Sequence, residues 1–374
     1  MNRLIIFSGF NQRAVIAILR CLVRNGIDDY LIIACGEDDP IFLTEYSERV
    51  YYTRKHRELY NPEIYELFRR IVSENKGFSN VIVPSTEGLN RFMIQFRSEI
   101  EDIGMTIPLA DSSLYRSISD KRTFWEICRD NDLCVPQIID IGYKYKCRYV
   151  AKPKTYISPS GERYVPYIID SEEKNERFLN SFDLSFFDIQ EFVDGESIYL
   201  LYYLAKTGVD YSYSQINLVQ QPNGKSMIAS LPWDAHKEPI SDKYVSLIRK
   251  LGYSGFIMIE LRKNDKGYCM IEANPRMWGP SQLYVDAGVP FIEAFLYDHG
   301  IIGSIPERKI TEAAYFWSGG IAEDLMTDRS CVWLERGREL VSANKDLLYG
   351  SDIYNRPDTI GYFNREIENW RENG

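Results

Sequence analysis

A chain of 374 residues with a formal net charge of −10 has length for two or three domains, and its charge argues against a surface that wraps nucleic acid. Seven scattered cysteines without a CxxC pair, and only three histidines, argue against a disulfide framework, a zinc site or a histidine-rich metal centre. No stretch approaches the roughly 20 apolar residues of a membrane span, and the N-terminal apolar run is too short for a signal peptide.

Leu4 to Phe7 reads as a short buried strand, with Ser8-Gly9-Phe10-Asn11 as the turn after it. Ala14 to Asn25 carries Val15, Ile18, Leu19 and Leu22 at helical spacing and stops at Gly26. Tyr30 to Cys35 is a second strand, Pro62 to Lys76 a helix closed by Gly77, and Val81-Ile82-Val83-Pro84 a third strand. Strands alternating with helices predict parallel βαβ units, whose ligand loops follow the strand carboxyl ends, here Ser8 to Asn11 and Pro84 to Glu87. Ser8-Gly9-Phe10-Asn11 does not match GxGxxG, which weakens a dinucleotide-binding reading. A helix begins at Asp120-Lys121-Arg122 and ends near Asn131, and a β-rich region starts at Pro136. Tyr149-Val150-Ala151-Lys152-Pro153 is a strand, Thr155 to Arg163 a polar loop, and Asp188 to Gly195 a strand leading into Glu196. Ile198 to Leu204 is another strand, and Ile240 to Leu251 an amphipathic helix. Beyond Lys309 the signals thin, with a strand at Glu312 to Trp317 and a helix at Leu334 to Ala343.

The densest chemistry lies on a hairpin. Gly255 to Lys263 and Tyr268 to Arg276 read as strands, and Asn264-Asp265-Lys266-Gly267 as turn residues. A three-residue loop, Asp265-Lys266-Gly267, puts glycine at the final left-handed position, pairs Asn264 with Tyr268, and so pairs Glu260 with Glu272. Directly opposed residues lie about 5 Å apart at Cβ. Alternation then places Met258, Glu260, Arg262, Met270, Glu272, Asn274 and Arg276 on one face. Ile257, Ile259, Leu261, Ile271 and Ala273 take the other, a core face. Two facing carboxylates raise each other's pKa unless a cation lies between them, and such hard oxygen donors suit Mg²⁺ shared with phosphate oxygens. The competing reading of the hairpin alone is a solvated face on which Arg262 or Arg276 neutralises the acids.

Five motifs in order resemble the ATP-grasp superfamily: Asp120-Lys121; Val150-Ala151-Lys152-Pro153; Gln190-Glu191-Phe192-Val193-Asp194-Gly195-Glu196; Gly255-Phe256-Ile257-Met258-Ile259-Glu260; and Ile271-Glu272-Ala273-Asn274-Pro275-Arg276. None is specific alone; their order and the acidic pair carry the resemblance, which covers about residues 115–305. Pro275-Arg276-Met277-Trp278-Gly279 draws it toward the carbamoyl-phosphate-synthase-like and carboxylate–amine ligase branch. The resemblance implies a mixed α/β and α+β fold: an N-terminal parallel βαβ domain over 1–112, then two ATP-grasp lobes over 113–196 and 197–309. It places a phosphate lid at 155–163, which holds a single glycine, and leaves 310–374 as an extension of open fold.

The resemblance also implies a ligase reaction. ATP phosphorylates a carboxylate, an amine attacks the acyl phosphate to form an amide, and ADP and phosphate leave. Glu260, Glu272 and Asn274 would be ligands of Mg²⁺, two ions with Mn²⁺ as a substitute, and Lys121 and Lys152 the phosphate lysines. Arg276, with Lys152, would be catalytic, steadying the transferring phosphoryl group. Gln190, Glu191, Phe192 and Val193 would read adenine, Ile271 would lie against it, and Glu196 would hold the ribose. Gly195-Glu196-Ser197 stands where Gly-x-Glu is frequent, so Ser197 and Glu191 are alternatives, and strand parity turns Ile271 away from Glu272. Substrates implied are a small carboxylate and an amine (an amino acid, peptide or amino-sugar conjugate) in the cytoplasm, without nucleic acid or membrane; a homodimer is compatible. Asn11, Arg13, Ser85 and Glu87, and separately Trp233, Asp234, His236 and Lys237, are candidates for the substrate end, His236 as a general base. A different class of reading is an ATP-binding sensor or assembly subunit without turnover.

Overall fold

A computed structural model describes residues 2–74, 76–140, 145–154, 164–206 and 208–373. The short apolar runs at the start build one sheet: β1 (Asn2–Phe7), helix α1 (Gln12–Arg24), β2 (Tyr30–Cys35), β3 (Val50–Arg54), α2 (Pro62–Glu74), β4 (Ser79–Ile82), α3 (Glu87–Gln95), α4 (Arg97–Ile103) and β5 (Met105–Thr106). All five strands are parallel, in the order β3-β2-β1-β4-β5. β1 is apolar throughout because both its faces are covered: Leu4 and Ile6 pack with α1, Ile5 and Phe7 with Ile64 and Phe68 of α2. The edge strands β3 and β5 go beyond the sequence reading; β3 is mostly half-buried and β5 is two residues long, so neither makes a strong apolar run.

Two helices with aspartate caps follow. Asp111 accepts from Ser113 and Leu114 N–H at the start of α5 (Ser112–Ser119), and Asp120 from Thr123 N–H at the start of α6 (Lys121–Arg129). A small antiparallel sheet of β6 (Tyr149–Pro153), β7 (Tyr167–Ile169) and β8 (Phe187–Glu191) is ordered β7-β6-β8 over a cluster of Tyr149, Tyr164, Phe178 and Phe187. The expected lid at 155–163 lies outside the described residues.

The large antiparallel sheet contains β9 (Glu196–Leu204), β10 (Tyr211–Gln220), β11 (Met227–Pro232), β12 (Gly255–Asn264), β13 (Gly267–Asn274), β14 (Tyr315–Phe316) and β15 (Val332–Trp333). The order is β13-β12-β9-β10-β11-β14, with β15 beside β10. β9 divides two cores by alternation. Tyr199, Leu201 and Tyr203 join the core shared with the N-terminal sheet; Ile198, Leu200, Tyr202 and Leu204 join the second. Gly195 turns the chain from β8 into β9 at φ +130°, where a Cβ would stand 2.3 Å from the Lys263 carbonyl oxygen, so only glycine fits.

Residues beyond 310 strap the molecule together. β14 extends the large sheet past β11, and the helix Ser318–Met326 packs on the helix Ile360–Asn373. Arg20 of α1 donates through Nε and Nη2 to Asp358 at 2.8 and 2.9 Å, and also to Thr359 and Gln282. Tyr46 OH meets the same Asp358 carboxylate at 2.7 Å. The expected helix at 334–343 begins at Gly337, and the expected strand at 312–317 narrows to Tyr315–Phe316.

Candidate active site

β12 and β13 join through a two-residue turn, Asp265-Lys266, so Asn264 pairs with Gly267 and not with Tyr268. Lys263 then faces Tyr268, Arg262 faces Cys269 and Leu261 faces Met270; after a register shift, Glu260 faces Glu272 and Met258 faces Asn274. Ile271 is the extra residue, a β-bulge. The expected three-residue turn is corrected, and the expected acid pair stands, because the residue missing from the turn is inserted at the bulge. Side-chain directions change accordingly. Met270 is 1 % exposed and packs with Ile259, Leu261 and Ala273 rather than beside Glu272. Ile271 is half-buried and outside that cluster, and its carbonyl oxygen accepts from Lys152 Nζ at 3.2 Å.

Charges around the pair are unequal. Lys121 Nζ lies 2.9 Å from Glu272 Oε2, and Asn274 Nδ2 donates to Glu272 Oε1 at 2.9 Å. Among the described residues Glu260 forms one ion pair, with Arg262, Nη2 to Oε1 at 3.4 Å, and the charges of Lys152 and Lys121 act on it from further off. Burial raises the pKa of Glu272, but Lys121, Asn274 and Lys152 outweigh it and the net shift is downward. For Glu260 burial dominates; Arg262 opposes it, the charge of Glu272 adds to it, and the net shift is upward. Glu272 is therefore held ionised, and Glu260 is the carboxylate that lacks a full counter-charge. Burial first, then the charge of Lys121, pulls Lys152 down to about 8.

Lys121 reaches the pair from the first turn of α6, and Lys152 from β6. Both also line a cleft of about 640 Å³ between α3, α5, α6 and the small sheet, with Trp125, Asp188 and Gln190 in its wall. They link that cleft to the acids. Gln190 is buried with Oε1 unpartnered. Glu191 exchanges backbone and side-chain bonds with Gln137, and Phe192 lies under Arg148, 3.8 Å from its ring centroid. Val193 is half-buried in the same segment.

At the hairpin's far end Arg276 donates to Met277 O at 3.0 Å and Asn274 Oδ1 at 3.3 Å, and its Nε lies 3.6 Å from Glu87 Oε2. Glu87 opens α3, and Tyr115 OH donates to it at 2.8 Å. The N-terminal loop after β4 thus reaches the hairpin, and Asn11 binds Ser85 O beside it at 3.1 Å. Arg13 does not reach it. Its guanidinium donates to Met227 O, Tyr315 OH and Ser226 Oγ and lies 4.0 Å from the Trp317 ring. His236 is tied to Ser214 Oγ at 2.9 Å and Trp233 O at 3.1 Å, a structural anchorage. Glu196 lies on the β9 face of Ile198, opposite the face that carries Tyr199 against Glu260, and pairs with Arg336 at 3.1 Å. Ser197 is on the Glu260 side but is buried against Asn217. The structure therefore brings Glu260, Glu272, Asn274, Lys121, Lys152 and Arg276 together, and leaves Glu196 apart.

Tyr199 and Tyr115 belong to the site and carry no sequence signal. Tyr199 is opposite Glu260 only through the β9–β12 register, and Tyr115 orients Glu87 only through the packing of α5. Among the described residues no cluster of three or more His, Cys, Asp or Glu could hold a metal. Two carboxylates and an amide suit an ion that is bound through one or two carboxylates and completed by phosphate and water.

No protein-family model matches the chain, and no curated protein matches it. Solved structures do. The biotin carboxylase domain of the 2-oxoglutarate carboxylase from Hydrogenobacter thermophilus, in complex with MgADP, ADP and bicarbonate, aligns with TM-score 0.58 at 16% identity, over 83% of this chain and 72% of that one. A biotin carboxylase–β-γ-ATP complex from Campylobacter jejuni aligns with TM-score 0.57 at 12% identity, over 83% and 74%. An L-amino acid ligase from Bacillus licheniformis aligns with TM-score 0.55 at 16% identity, over 80% and 73%.

Proposed function

Because this chain has the ATP-grasp fold, we propose that it is an ATP-dependent ligase that activates a carboxylate as an acyl phosphate and joins it to an amine. The observation that supports this most is the facing of Glu260 and Glu272 with Lys121 and Lys152 against them and Arg276 beyond. Mg²⁺, two ions in this reading, would be held by Glu260, Glu272 and Asn274 and would neutralise charge on the phosphate oxygens.

The chain's own residues supply the rest. Lys121 and Lys152 exchange their present partners, a carboxylate and a carbonyl, for phosphate oxygens entering from the cleft. The backbone edge at 190–193 takes adenine. Arg276 grips the substrate carboxylate, which occupies the position that Glu87 holds beside its guanidinium. A carboxylate oxygen attacks the γ-phosphorus and the bond to the β,γ-bridging oxygen breaks, releasing ADP. The amine nitrogen then attacks the acyl carbon, phosphate leaves, and the amine loses a proton. Positioning and charge neutralisation carry such a transfer.

The proposed substrates are small molecules and the proposed location is the cytoplasm; no helix among the described residues is long and apolar enough to cross a membrane. The test is ADP release with Mg-ATP across pairs of carboxylates and amines drawn from amino acids, dipeptides and amino sugars, with the product weighed by mass spectrometry. ADP formed in step with an amide is the expected result. A protein that does not bind Mg-ATP sinks the reading, and ATP binding without ADP release across the panel replaces it with a sensor or assembly subunit.

A further inference from the structure

Arg54 ends β3 and is fully buried. Its Nη1 donates to the carbonyl oxygens of His56 at 3.0 Å and Arg57 at 3.1 Å, while Nε and Nη2 have no hydrogen-bond partner. The guanidinium lies 5.0 Å from the Phe10 ring centroid and 5.7 Å from that of Phe7. Arginine cannot shed its proton, and a buried cation without a counter-ion is among the costliest arrangements a fold can hold. Two acids stand near, and among the described residues neither forms an ion pair with Arg54. Asp39 accepts from Ser8 Oγ, Cys35 N and Ile41 N at 2.6, 2.7 and 2.9 Å. Glu63 of α2 accepts through Oε1 from Tyr52 OH and Lys55 N at 3.0 Å each, and its buried Oε2 has no hydrogen-bond partner. Burial accordingly pulls the Arg54 pKa down, and Cys35, Asp39 and Glu63 restore it only in part.

A second unpartnered donor lies on the same edge. Gln12 opens α1, is 7 % exposed, and accepts through Oε1 from Gly9 N at 3.3 Å; Ser8 Oγ, whose one proton goes to Asp39, lies 2.9 Å from that oxygen, and Nε2 has no partner. Gly9 and Phe10 run between the two. Gly9 is at φ +83°, and a Cβ there would lie 2.4 Å from the Cβ of Cys35, the residue paired with Arg54 across β2 and β3. The loop therefore lies flat on the carboxyl ends of β1 to β3, at the start of a 13-residue helix whose cap residue Asn11 makes no side-chain capping bond. The N-terminus of a helix beside the carboxyl ends of parallel strands is where α/β folds hold anions.

We propose that the carboxyl edge of the N-terminal sheet binds an oxyanion (a carboxylate, phosphate or sulfate group) between the Arg54 guanidinium and the Gln12 amide, apart from the nucleotide cleft. The planar fork of Arg54 offers Nε and Nη2 side by side, the geometry that grips two oxygens of one group. Residues 55–58 are exposed and wrap Nη1 through their carbonyls, so the anion enters when that segment lifts. The site does not rest on the ligase reading.

The test titrates inorganic phosphate into the full chain at constant ionic strength, by calorimetry. Wild type, Lys152→Met and Arg276→Met are expected to bind phosphate with affinities within about twofold of one another, and Arg54→Met at least tenfold more weakly. Gln12→Leu leaves Arg54 in place, is expected to weaken binding severalfold, and decides the matter if Arg54→Met does not fold. Phosphate binding that disappears with Lys152→Met or Arg276→Met, that is untouched by the Arg54 and Gln12 variants, or that is absent from wild type overturns the site. Competition between phosphate and an anionic acceptor in the ADP-release assay identifies the oxyanion as part of a substrate, and binding without competition identifies a free ion; either result supports the site.

Discussion

A carboxylate packed among aromatic rings gives up its proton late. Glu366 accepts from Trp317 Nε1 at 3.3 Å, and burial foremost, with the charge of Asp352, raises it to about 7 against the pull of Trp317, Tyr362 and Arg13. The folded chain thus binds this proton more tightly than the unfolded chain, whose ordinary value is 4.5. Its contribution to stability is full below that value and is lost as pH rises toward 7. Allowing for its partial exposure, stability by urea denaturation should fall about 1–2 kcal/mol between about pH 5 and pH 8, and Glu366→Gln should flatten that slope. Glu272→Gln makes the opposite kind of change, leaving shape and removing charge. ADP release should drop roughly 10²–10³-fold, as when one electrostatic stabiliser is lost from a site. Stability should change by less than about 1 kcal/mol, since the Lys121 pair is part-exposed. The six residues gathered at the hairpin were legible in the sequence because each sits in a short motif. Arg13 was not, because an arginine in the first turn of a helix that turns inward to three acceptors and a tryptophan ring looks like any other cation in a string of letters.

Among the elements, the hairpin shows how a register is reached by a route the pattern does not reveal. The two-residue turn and the bulge at Ile271 each shift the pairing by one, and the shifts cancel at Glu272. Deleting Ile271 should leave a regular hairpin with Met270 still inward and Glu260 still opposite Glu272. The deletion removes one half-buried side chain and the carbonyl that holds Lys152, so Mg-ATP affinity should fall about tenfold by calorimetry with the fold retained by circular dichroism. Gly195→Ala should be harsher, costing about 2–4 kcal/mol in denaturant unfolding, because a Cβ would strike the Lys263 backbone at an unfavourable φ. The apolar strands β1 and β2 could be read directly. β10 and β11 could not: Gln215 and Asn217 interrupt the apolar pattern, yet both are fully buried because they hydrogen-bond to each other and to Ser197. The helix Ile360–Asn373 stayed hidden for a related reason, its apolar positions being diluted by Arg, Glu and Asn.

At the scale of the whole molecule, the strap from 352 to 359 holds the N-terminal sheet to the large sheet. Arg20 is 11% exposed and Asp358 18% exposed in their pair, and Arg356 adds a second bond to Asp286. Arg20→Ala leaves Asp358 part-buried with only Tyr46 and Arg356 near it, and should lower stability by about 2–4 kcal/mol, read from the midpoint and slope of urea unfolding. No local pattern could announce this contact, since its partners are 338 positions apart. The same separation sets an order of assembly. On a ribosome adding roughly 5–20 residues per second, Asp358 emerges about 20–70 seconds after Arg20, and for that interval the Arg20 charge on α1 lacks its carboxylate. The N-terminal sheet is thus made well before the strap that completes it.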